Sequence, residues 1–281
     1  MCGTCGCGNP NGPLITEVLD DNKHIHHHGH DHHHHHHHGH DHTHEHDHTH
    51  GHDHHHHTPE GKTLIELEKD VLHQNQLFAE RNRGYFTAKN MVALNMVSSP
   101  GSGKTSILEK TLEAINKDIG CYVIEGDQQT LNDAQRIRAT NTPVMQVNTG
   151  QGCHLESDMV HKALTQLKPQ SDSILFIENV GNLVCPAMFD LGETDRIVIM
   201  SVTEGDDKPI KYPDAFRHAS VCIINKMDLL PYVNFDVSQS KKYALQVNPR
   251  LRFFEMSATT GEGLEEWTSW IKEQVLTDQP T

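Results

Sequence analysis

The chain has 281 residues, which is room for one substantial globular domain with appendages. Its formal net charge of -15 argues against a general nucleic-acid binder, because such proteins need clustered Lys and Arg to displace counterions from phosphates. No apolar run approaches the roughly 20 residues that span a bilayer, and the segment after Met1 lacks the basic and apolar regions of a signal peptide. We therefore expect a cytoplasmic protein without a membrane span, whose seven cysteines are thiols or metal ligands rather than disulfides.

Residues 1–57 are predicted to be a disordered, metal-binding tail. Histidine fills 23 of the 34 positions from His24 to His57, so this tract has too little apolar surface to offset the entropy lost on folding. Its imidazoles should bind several divalent ions with graded affinity, and mild acidification should weaken that binding. An engineered purification tag is the alternative interpretation, but the irregular spacing and the interspersed aspartates count against it.

Three cysteines, Cys2, Cys5 and Cys7, lie in a glycine-rich peptide within residues 1–8. Three thiolates can close on one ion there, in a square-planar geometry that suits nickel if a nitrogen is the fourth ligand, or in a tetrahedral geometry that suits zinc. A redox dithiol is the alternative, because Cys-x-x-Cys occurs in thioredoxin-like sites. Those sites lie in a β-α-β context that this peptide lacks.

Residues 58–281 are predicted to form one folded domain that begins with a helix from Thr63 to about Arg83, where Thr63 and Glu66 are spaced as a capping box. Apolar strands and helices then alternate. Strands are predicted at 91–97, 121–125, 144–148, 173–178, 196–202, 221–225 and 252–256, and helices after Gly103, near Leu131, and over 155–167 and 264–276. This alternation predicts an α/β fold with a mostly parallel central sheet flanked by helices.

The segment from Ser98 to Thr105 follows a predicted strand and opens a helix, as the phosphate loop of a P-loop NTPase does. Backbone N–H groups of its small residues can surround phosphates, Lys104 supplies charge between the terminal phosphates, and the Thr105 hydroxyl binds Mg²⁺. Ser98 stands where the usual pattern has glycine, so we expect a conformation there that glycine reaches more easily. A Gly/Ser-rich turn without a ligand is the alternative. The predicted nucleotide-binding residues of this segment are Gly101, Ser102, Gly103, Lys104, Thr105 and Ser106.

A second motif, Asn225-Lys226-Met227-Asp228, follows the predicted strand at 221–225 and indicates guanine as the base. The carboxylate of Asp228 can accept hydrogen bonds from the ring N–H and the amino group of guanine, whereas adenine presents an acceptor and would leave a polar group unpaired. Ser257 and Ala258 follow the last strand, where a backbone N–H can meet the guanine carbonyl. A surface turn is the alternative for Asn-Lys-x-Asp alone. Its position after a phosphate loop favours GTP and GDP as ligands.

Two acidic residues at strand ends are candidates for catalysis and for binding Mg²⁺. Glu178 precedes Asn-Val-Gly at the end of one strand, and Asp127 ends another, as in the phosphoryl-transfer enzymes of this class. Either residue can instead be a solvated strand-end carboxylate. No arginine finger or water-orienting glutamine is evident, so we expect slow intrinsic hydrolysis.

A metal site within the domain is predicted from Cys153, His154 and Cys185, which fall after strands on the edge where open α/β sheets bind ligands. Three ligands do not close a structural site, but a symmetric dimer would double them across the interface. Semi-buried thiols are the alternative. Cys121 and Cys222 lie inside apolar strands and are expected in the core.

Together these motifs resemble those of the nickel-incorporation GTPases of hydrogenase maturation, the HypB-type members of the G3E group of P-loop GTPases. The matching segments are the cysteine peptide, the histidine tract, and residues 98–105, 125–127, 152–154, 178–186 and 225–228.

The resemblance implies a GTPase that forms a homodimer when GTP is bound. It implies a high-affinity nickel site at the three N-terminal cysteines, a second nickel or zinc site formed by Cys153, His154 and Cys185, and a reservoir in the histidine tract. It further implies delivery of nickel to the large subunit of nickel-iron hydrogenase, together with a small zinc-containing partner protein.

Two other functions stay open at this point. A urease accessory GTPase also carries a His-rich tail, but its metal motif is Cys-Pro-His, whereas Cys185-Pro186 is followed here by Ala187. A metal buffer with an idle nucleotide site is the interpretation that involves no enzyme.

Overall fold

The structure is a computed structural model that describes residues 14–17, 64–127, 132–150 and 152–277. Within these ranges, eight strands form one sheet. In chain order the strands are β1 (Leu14–Glu17), β2 (Val92–Ser98), β3 (Gly120–Asp127), β4 (Val144–Asn148), β5 (Ser173–Gly181), β6 (Asp195–Ser201), β7 (Val221–Asn225) and β8 (Arg252–Glu255).

The helices alternate with these strands. They are α1 (Leu64–Ala88), α2 (Lys104–Ile115), α3 (Asn132–Arg138), α4 (Ser157–Leu167), α5 (Cys185–Met188), α6 (Lys208–Lys211), α7 (Pro213–Arg217), α8 (Val237–Val247) and α9 (Leu264–Thr277), with a 3₁₀ helix at Met227–Tyr232. None of the helices in the described part of the chain is both long enough and apolar enough to cross a bilayer.

The sheet has the strand order β1-β4-β3-β5-β2-β6-β7-β8, and every neighbouring pair is parallel except β1 with β4. This confirms the predicted α/β fold with a mostly parallel sheet. Parallel strands end at one edge, so the loops after β2, β3, β4, β5 and β7 lie along a common edge of the sheet, where ligands bind in folds of this type.

Helices cover both faces of the sheet because its central strands are apolar on both faces. Alternate residues of β2 face opposite ways. Leu94 and Met96 pack with α2 and α9, whereas Ala93 packs with α1 and α4. Cys121 and Cys222 are buried in β3 and β7, as predicted. Burial raises the pKa of the Cys121 thiol to about 12 and also raises the pKa of Cys222, which keeps both as thiols.

β1 corrects the prediction of a tail for four of its residues. Leu14 pairs with Asn148 and Glu17 with Met145, in antiparallel register along the edge strand β4. So short a strand has no period that sequence can reveal, and its stability comes from a partner far along the chain. The other residues of the predicted tail, including its cysteines and the histidine tract, lie outside the described ranges.

Two predicted helices differ at their ends. α1 continues five residues beyond the predicted end at Arg83, to Ala88. Thr63, half of the predicted capping box, lies outside the described residues. The helix predicted near Leu131 is α3, which begins at Asn132, and Leu131 itself is also outside the described ranges.

Candidate functional site

The loop between β2 and α2 has the geometry of a phosphate loop. Gly101 and Gly103 have φ angles of 74° and 95°, a left-handed backbone that glycine adopts without steric cost. α2 begins at Lys104, so the loop lies at the positive end of that helix. The loop borders a cleft of about 520 Å³ that Glu125, Asp127 and Lys226 also line.

The conformation expected at Ser98 is wrong. Ser98 is the last residue of β2, in a strand whose backbone has no positive φ. Its buried hydroxyl donates to the Ser99 carbonyl at 2.9 Å, and its backbone bridges to Asn182. Serine fits because the left-handed positions fall at Gly101 and Gly103 instead.

Lys104 and Thr105 converge on one carboxylate at the end of β5. Lys104 Nζ and Thr105 Oγ1 lie 3.1 and 2.6 Å from Glu178 Oε1 and donate hydrogen bonds to it. Glu178 is fully buried, and among the described residues its Oε2 has no hydrogen-bond partner. A solvated strand-end carboxylate is therefore excluded for Glu178. The Thr105 hydroxyl and the Glu178 carboxylate are the oxygen ligands that suit Mg²⁺, which would satisfy the buried oxygen.

Two further carboxylates of β3 line the same cleft. Asp127, the second predicted candidate, is half-buried at the end of the strand. Glu125, which was not predicted as a site residue, is buried, and its Oε2 has no hydrogen-bond partner in the described ranges. Burial raises the pKa of Glu125 to about 9, and the negative charges of Glu178 and Asp127 add to the rise. A pKa this high keeps the carboxyl protonated at neutral pH.

The raised pKa of Glu125 predicts that Glu125→Gln stabilises the nucleotide-free protein more at pH 8 than at pH 6. Because the folded protein holds this proton more tightly than the unfolded chain, stability is lost as pH rises from the unfolded value of about 4.3 toward about 9. Glutamine does not titrate, so the loss disappears. We expect the stabilisation to be about 2–3 kcal/mol larger at pH 8 than at pH 6, or roughly 5–10 °C in Tm.

Thermal unfolding without nucleotide or magnesium at the two pH values measures this effect. Glu262→Gln, at an exposed glutamate, is the control and should leave the Tm unchanged. Equal Tm shifts of Glu125→Gln at pH 6 and pH 8 would contradict a proton held by Glu125.

An arginine that the sequence did not single out also lines the cleft. Arg136 of α3 donates a 3.1 Å hydrogen bond to the Ser106 hydroxyl, and its guanidinium pairs with Glu109 and Asp133. Ser106, one of the predicted nucleotide-binding residues, therefore contacts α3 in this structure.

The Asn-Lys-x-Asp motif is joined to the phosphate loop. The Asn225 amide donates to the Ser102 carbonyl at 2.8 Å, and the Lys226 ammonium donates to the Gly101 carbonyl at 2.7 Å. A Cβ atom at Gly103 would approach Asn225 Nδ2 more closely than 3.0 Å, so only glycine permits this contact.

The two predicted base-recognition segments also contact each other. The backbone N–H of Ala258 donates to Asn225 Oδ1 at 3.2 Å, and the Ser257 hydroxyl donates to Asp228 Oδ1 at 2.6 Å. The structure therefore brings the phosphate-loop residues and the predicted guanine-binding residues to one side of the sheet edge.

The three predicted metal ligands of the domain form one cluster. Ligand atoms of Cys153, His154 and Cys185 all lie within 4.8 Å of one another. Tetrahedral ligands at metal distances of about 2.0–2.3 Å stand roughly 3.5 Å apart, so a small closure suffices. The His154 ring stacks on Phe189 at 3.9 Å between centroids. Burial lowers the pKa of His154 to about 4, which keeps the imidazole in the neutral, metal-binding form.

The fold and this cleft define the class of protein. A phosphate loop enters a helix, a buried carboxylate faces its lysine and threonine, and an Asn-Lys-x-Asp loop is joined to it. The chain is a P-loop GTPase. Residues 92–255 match the family described as "CobW/HypB/UreG, nucleotide-binding domain", and the chain belongs to the HypB group of this family.

Relatives agree with this assignment. The chain is similar to the hydrogenase maturation factor HypB of Escherichia coli strain K12, with 54% identity over 213 residues that cover 76% of this chain and 73% of that protein. It is similar to the hydrogenase/urease maturation factor HypB of Helicobacter hepaticus, with 40% identity over 76% of this chain and 89% of that protein. A crystal structure of HypB from Helicobacter pylori in complex with nickel superposes with a TM-score of 0.68 and 38% identity, covering 74% of this chain and 98% of that one.

Proposed function

We propose that this chain is a GTP-hydrolysing nickel metallochaperone that delivers nickel to the large subunit of nickel-iron hydrogenase during maturation. It acts in the cytoplasm as a homodimer that forms with GTP, and it works with a small zinc-containing partner protein. The observation that carries the proposal is the cluster of Cys153, His154 and Cys185, which lies on the nucleotide-binding edge of the sheet. The name of the Escherichia coli relative supports hydrogenase maturation, and the nickel in the Helicobacter pylori structure supports the cargo.

The cluster suits a metal that must be released. Two thiolates and one imidazole bind nickel or zinc, and three ligands leave a position open for exchange. A second copy of the chain would bring a second cluster to the dimer interface, so that movement of the subunits can open or close the site. Zinc fits the same ligands in tetrahedral geometry and is the expected competitor.

In this proposal the tail captures nickel first. Cys2, Cys5 and Cys7 form the high-affinity site, and the histidine tract stores further ions. Because Leu14 pairs with Asn148 at the end of β4, the chain enters β1 from the edge of the sheet that carries the cluster. Six residues separate Cys7 from Leu14, and the seven steps along the chain between them allow a reach of about 25 Å toward that edge.

Hydrolysis of GTP to GDP and phosphate is assigned to the cleft. Lys104 holds charge at the terminal phosphates, Thr105 and Glu178 hold Mg²⁺, and Asp127 completes the acidic lining. Mg²⁺ neutralises charge on the phosphates when it is bound. Asp228 selects guanine, with Ser257 and Ala258 beside it. Arg136 is paired with acidic residues of its own chain, which is in keeping with a slow intrinsic rate.

A strain that lacks this protein should lose most of its nickel-iron hydrogenase activity and regain part of it with excess nickel in the medium. We expect the wild-type chain and Cys121→Ala to restore activity, whereas Cys153→Ala and Cys185→Ala should restore less than about a tenth. Cys121 is the matched control because its thiol is buried in the core away from the cluster. Hydrogenase activity in cell extracts is the measurement.

Urease activity in the same strain tests the alternative function. Loss of urease with normal hydrogenase activity would replace the hydrogenase proposal with the urease one. Full rescue by Cys153→Ala and Cys185→Ala would remove the cluster from the nickel route.

A further inference from the structure

Two asparagines at the end of β5 lie between the nucleotide cleft and the metal cluster. Asn179 directly follows Glu178 and is 1% exposed. Its Oδ1 accepts hydrogen bonds from the backbone N–H groups of Leu155 at 3.1 Å and Val180 at 3.0 Å. Leu155 follows His154 in the chain. The amide of Asn179 therefore joins β5, the strand that carries Glu178, to the loop that carries His154.

The amide nitrogen of the Asn179 side chain begins a series of hydrogen bonds between buried polar groups. Its Nδ2 donates to Asn95 Oδ1 at 3.3 Å, and Asn95 Nδ2 donates to Glu193 Oε1 at 3.0 Å. The same oxygen accepts from Arg196 Nη2 at 2.7 Å, within an ion pair whose two side chains are each 7% exposed. Each of these polar groups has a partner, so movement of one breaks the bond of the next.

Arg196 extends this series of hydrogen bonds to the segment that begins at Cys185. Its guanidinium donates to the Ala187 carbonyl at 3.1 Å and to the Phe189 carbonyl at 2.9 Å. Ala187 belongs to α5, which begins at Cys185, and Phe189 stacks on His154. Asn179 is therefore linked by hydrogen bonds to both loops that supply the metal ligands.

Asn182 makes a shorter connection at the surface of the same edge. Its backbone bridges to Ser98, the first residue of the phosphate loop. Its Oδ1 accepts from the backbone N–H of Val184 at 2.9 Å, and its Nδ2 approaches the Cys153 carbonyl at 3.4 Å. Val184 precedes Cys185. One partly exposed side chain thus spans the two cysteine segments beside the phosphate loop.

We propose that Asn179 and Asn182 are positioning residues that couple the nucleotide cleft to the metal cluster, so that the occupancy of the cleft sets the nickel affinity of Cys153, His154 and Cys185. This inference rests on the proposed function. A ligand that moves Glu178 or Ser98 must also move the amides that hold both metal loops. Leaving such buried groups unpaired costs about 1–3 kcal/mol, so the two sites change together rather than separately.

The test compares nickel dissociation constants of the cluster with GDP and with a non-hydrolysable GTP analogue. The protein used is the full chain with Cys2→Ser, Cys5→Ser and Cys7→Ser. Thiolate-to-nickel charge-transfer absorption then reports nickel bound at the cluster, because the histidine tract has no thiolates. We expect the two constants to differ at least about 5-fold in this parent protein, the lower end of typical coupling between sites. Asn179→Ala and Asn182→Ala should each bring the ratio below about 2.

Asn248→Ala is the matched control. Asn248 is a buried amide that donates to the carbonyls of Phe216 and Ala219 far from both sites, so its loss should lower stability but leave the ratio unchanged. Asn182→Ala keeps the inference testable if Asn179→Ala does not fold, because Asn182 lies at the surface. An unchanged ratio in Asn182→Ala, or in a folded Asn179→Ala, would overturn the inference while leaving nickel binding intact. A parent protein without charge-transfer absorption would overturn the proposed nickel site as well.

Discussion

Lys104→Ala is expected to reduce GTP hydrolysis at least about 100-fold and to abolish the rescue of hydrogenase activity in the strain that lacks this protein. Lys104 is the cation of the phosphate loop, and removal of one preorganised charge or donor from a transition state typically costs about 3–4 kcal/mol. Its ammonium also lies 3.1 Å from Glu178 Oε1, with the two side chains 12% and 1% exposed. The variant therefore also leaves a buried carboxylate without its cation.

Lys110→Ala is the control for this variant. Lys110 lies on the same helix, and its ammonium pairs with Glu113 at the surface, where such a pair contributes little to stability. It should hydrolyse GTP and rescue the strain like the wild type. Phosphate release and hydrogenase activity are the two measurements, and a Tm for each variant establishes that it is folded.

The same variant separates a GTP-driven donor from a metal buffer. A metal buffer needs its metal-binding residues but not Lys104, so Lys104→Ala would still support maturation if the protein only stored nickel. Rescue by a variant that hydrolyses no GTP would mean that maturation needs the metal sites of this protein but not its GTP hydrolysis.

Short, contiguous patterns in the sequence predict where several residues of the candidate site lie. The strand at 221–225 agrees with β7 to the residue because a buried parallel strand is a continuous apolar run between turn signals. Cys153-His154 and Cys185 could be predicted to meet because both follow parallel strands, whose ends share an edge. These inferences need only local spacing and the geometry of a parallel sheet.

Contacts between residues distant in sequence could not be predicted in this way. Glu125 lies within an apolar strand, and its raised pKa depends on the burial and the neighbouring charges that the fold supplies. Asn95 and Asn179 meet across two strands, and neither residue type indicates a partner. The expectation for Ser98 failed because it placed a conformation that favours glycine at the first position of the loop, whereas the left-handed backbone falls at Gly101 and Gly103.

Gly103→Ala is expected to weaken GDP and GTP binding at least about 100-fold, far more than the neighbouring Gly101→Ala. Both glycines have left-handed backbone, so alanine at either position costs about 1–2 kcal/mol in strain. At Gly103 the new Cβ also meets Asn225 Nδ2 closer than 3.0 Å. Asn225 must then give up its hydrogen bond to the Ser102 carbonyl, and the Asn-Lys-x-Asp loop separates from the phosphate loop.

Gly101 is the matched control because a Cβ there meets no atom of the described residues within 4 Å. Titration with a fluorescent GDP analogue and thermal unfolding without nucleotide measure the two variants together. Strain alone predicts similar Tm values for both, whereas the clash predicts a lower Tm and a larger loss of affinity for Gly103→Ala. Equal effects of the two substitutions would mean that Asn225 moves away from the new Cβ at no cost in free energy. The hydrogen bond between Asn225 and the phosphate loop would then not be needed to hold the nucleotide site together.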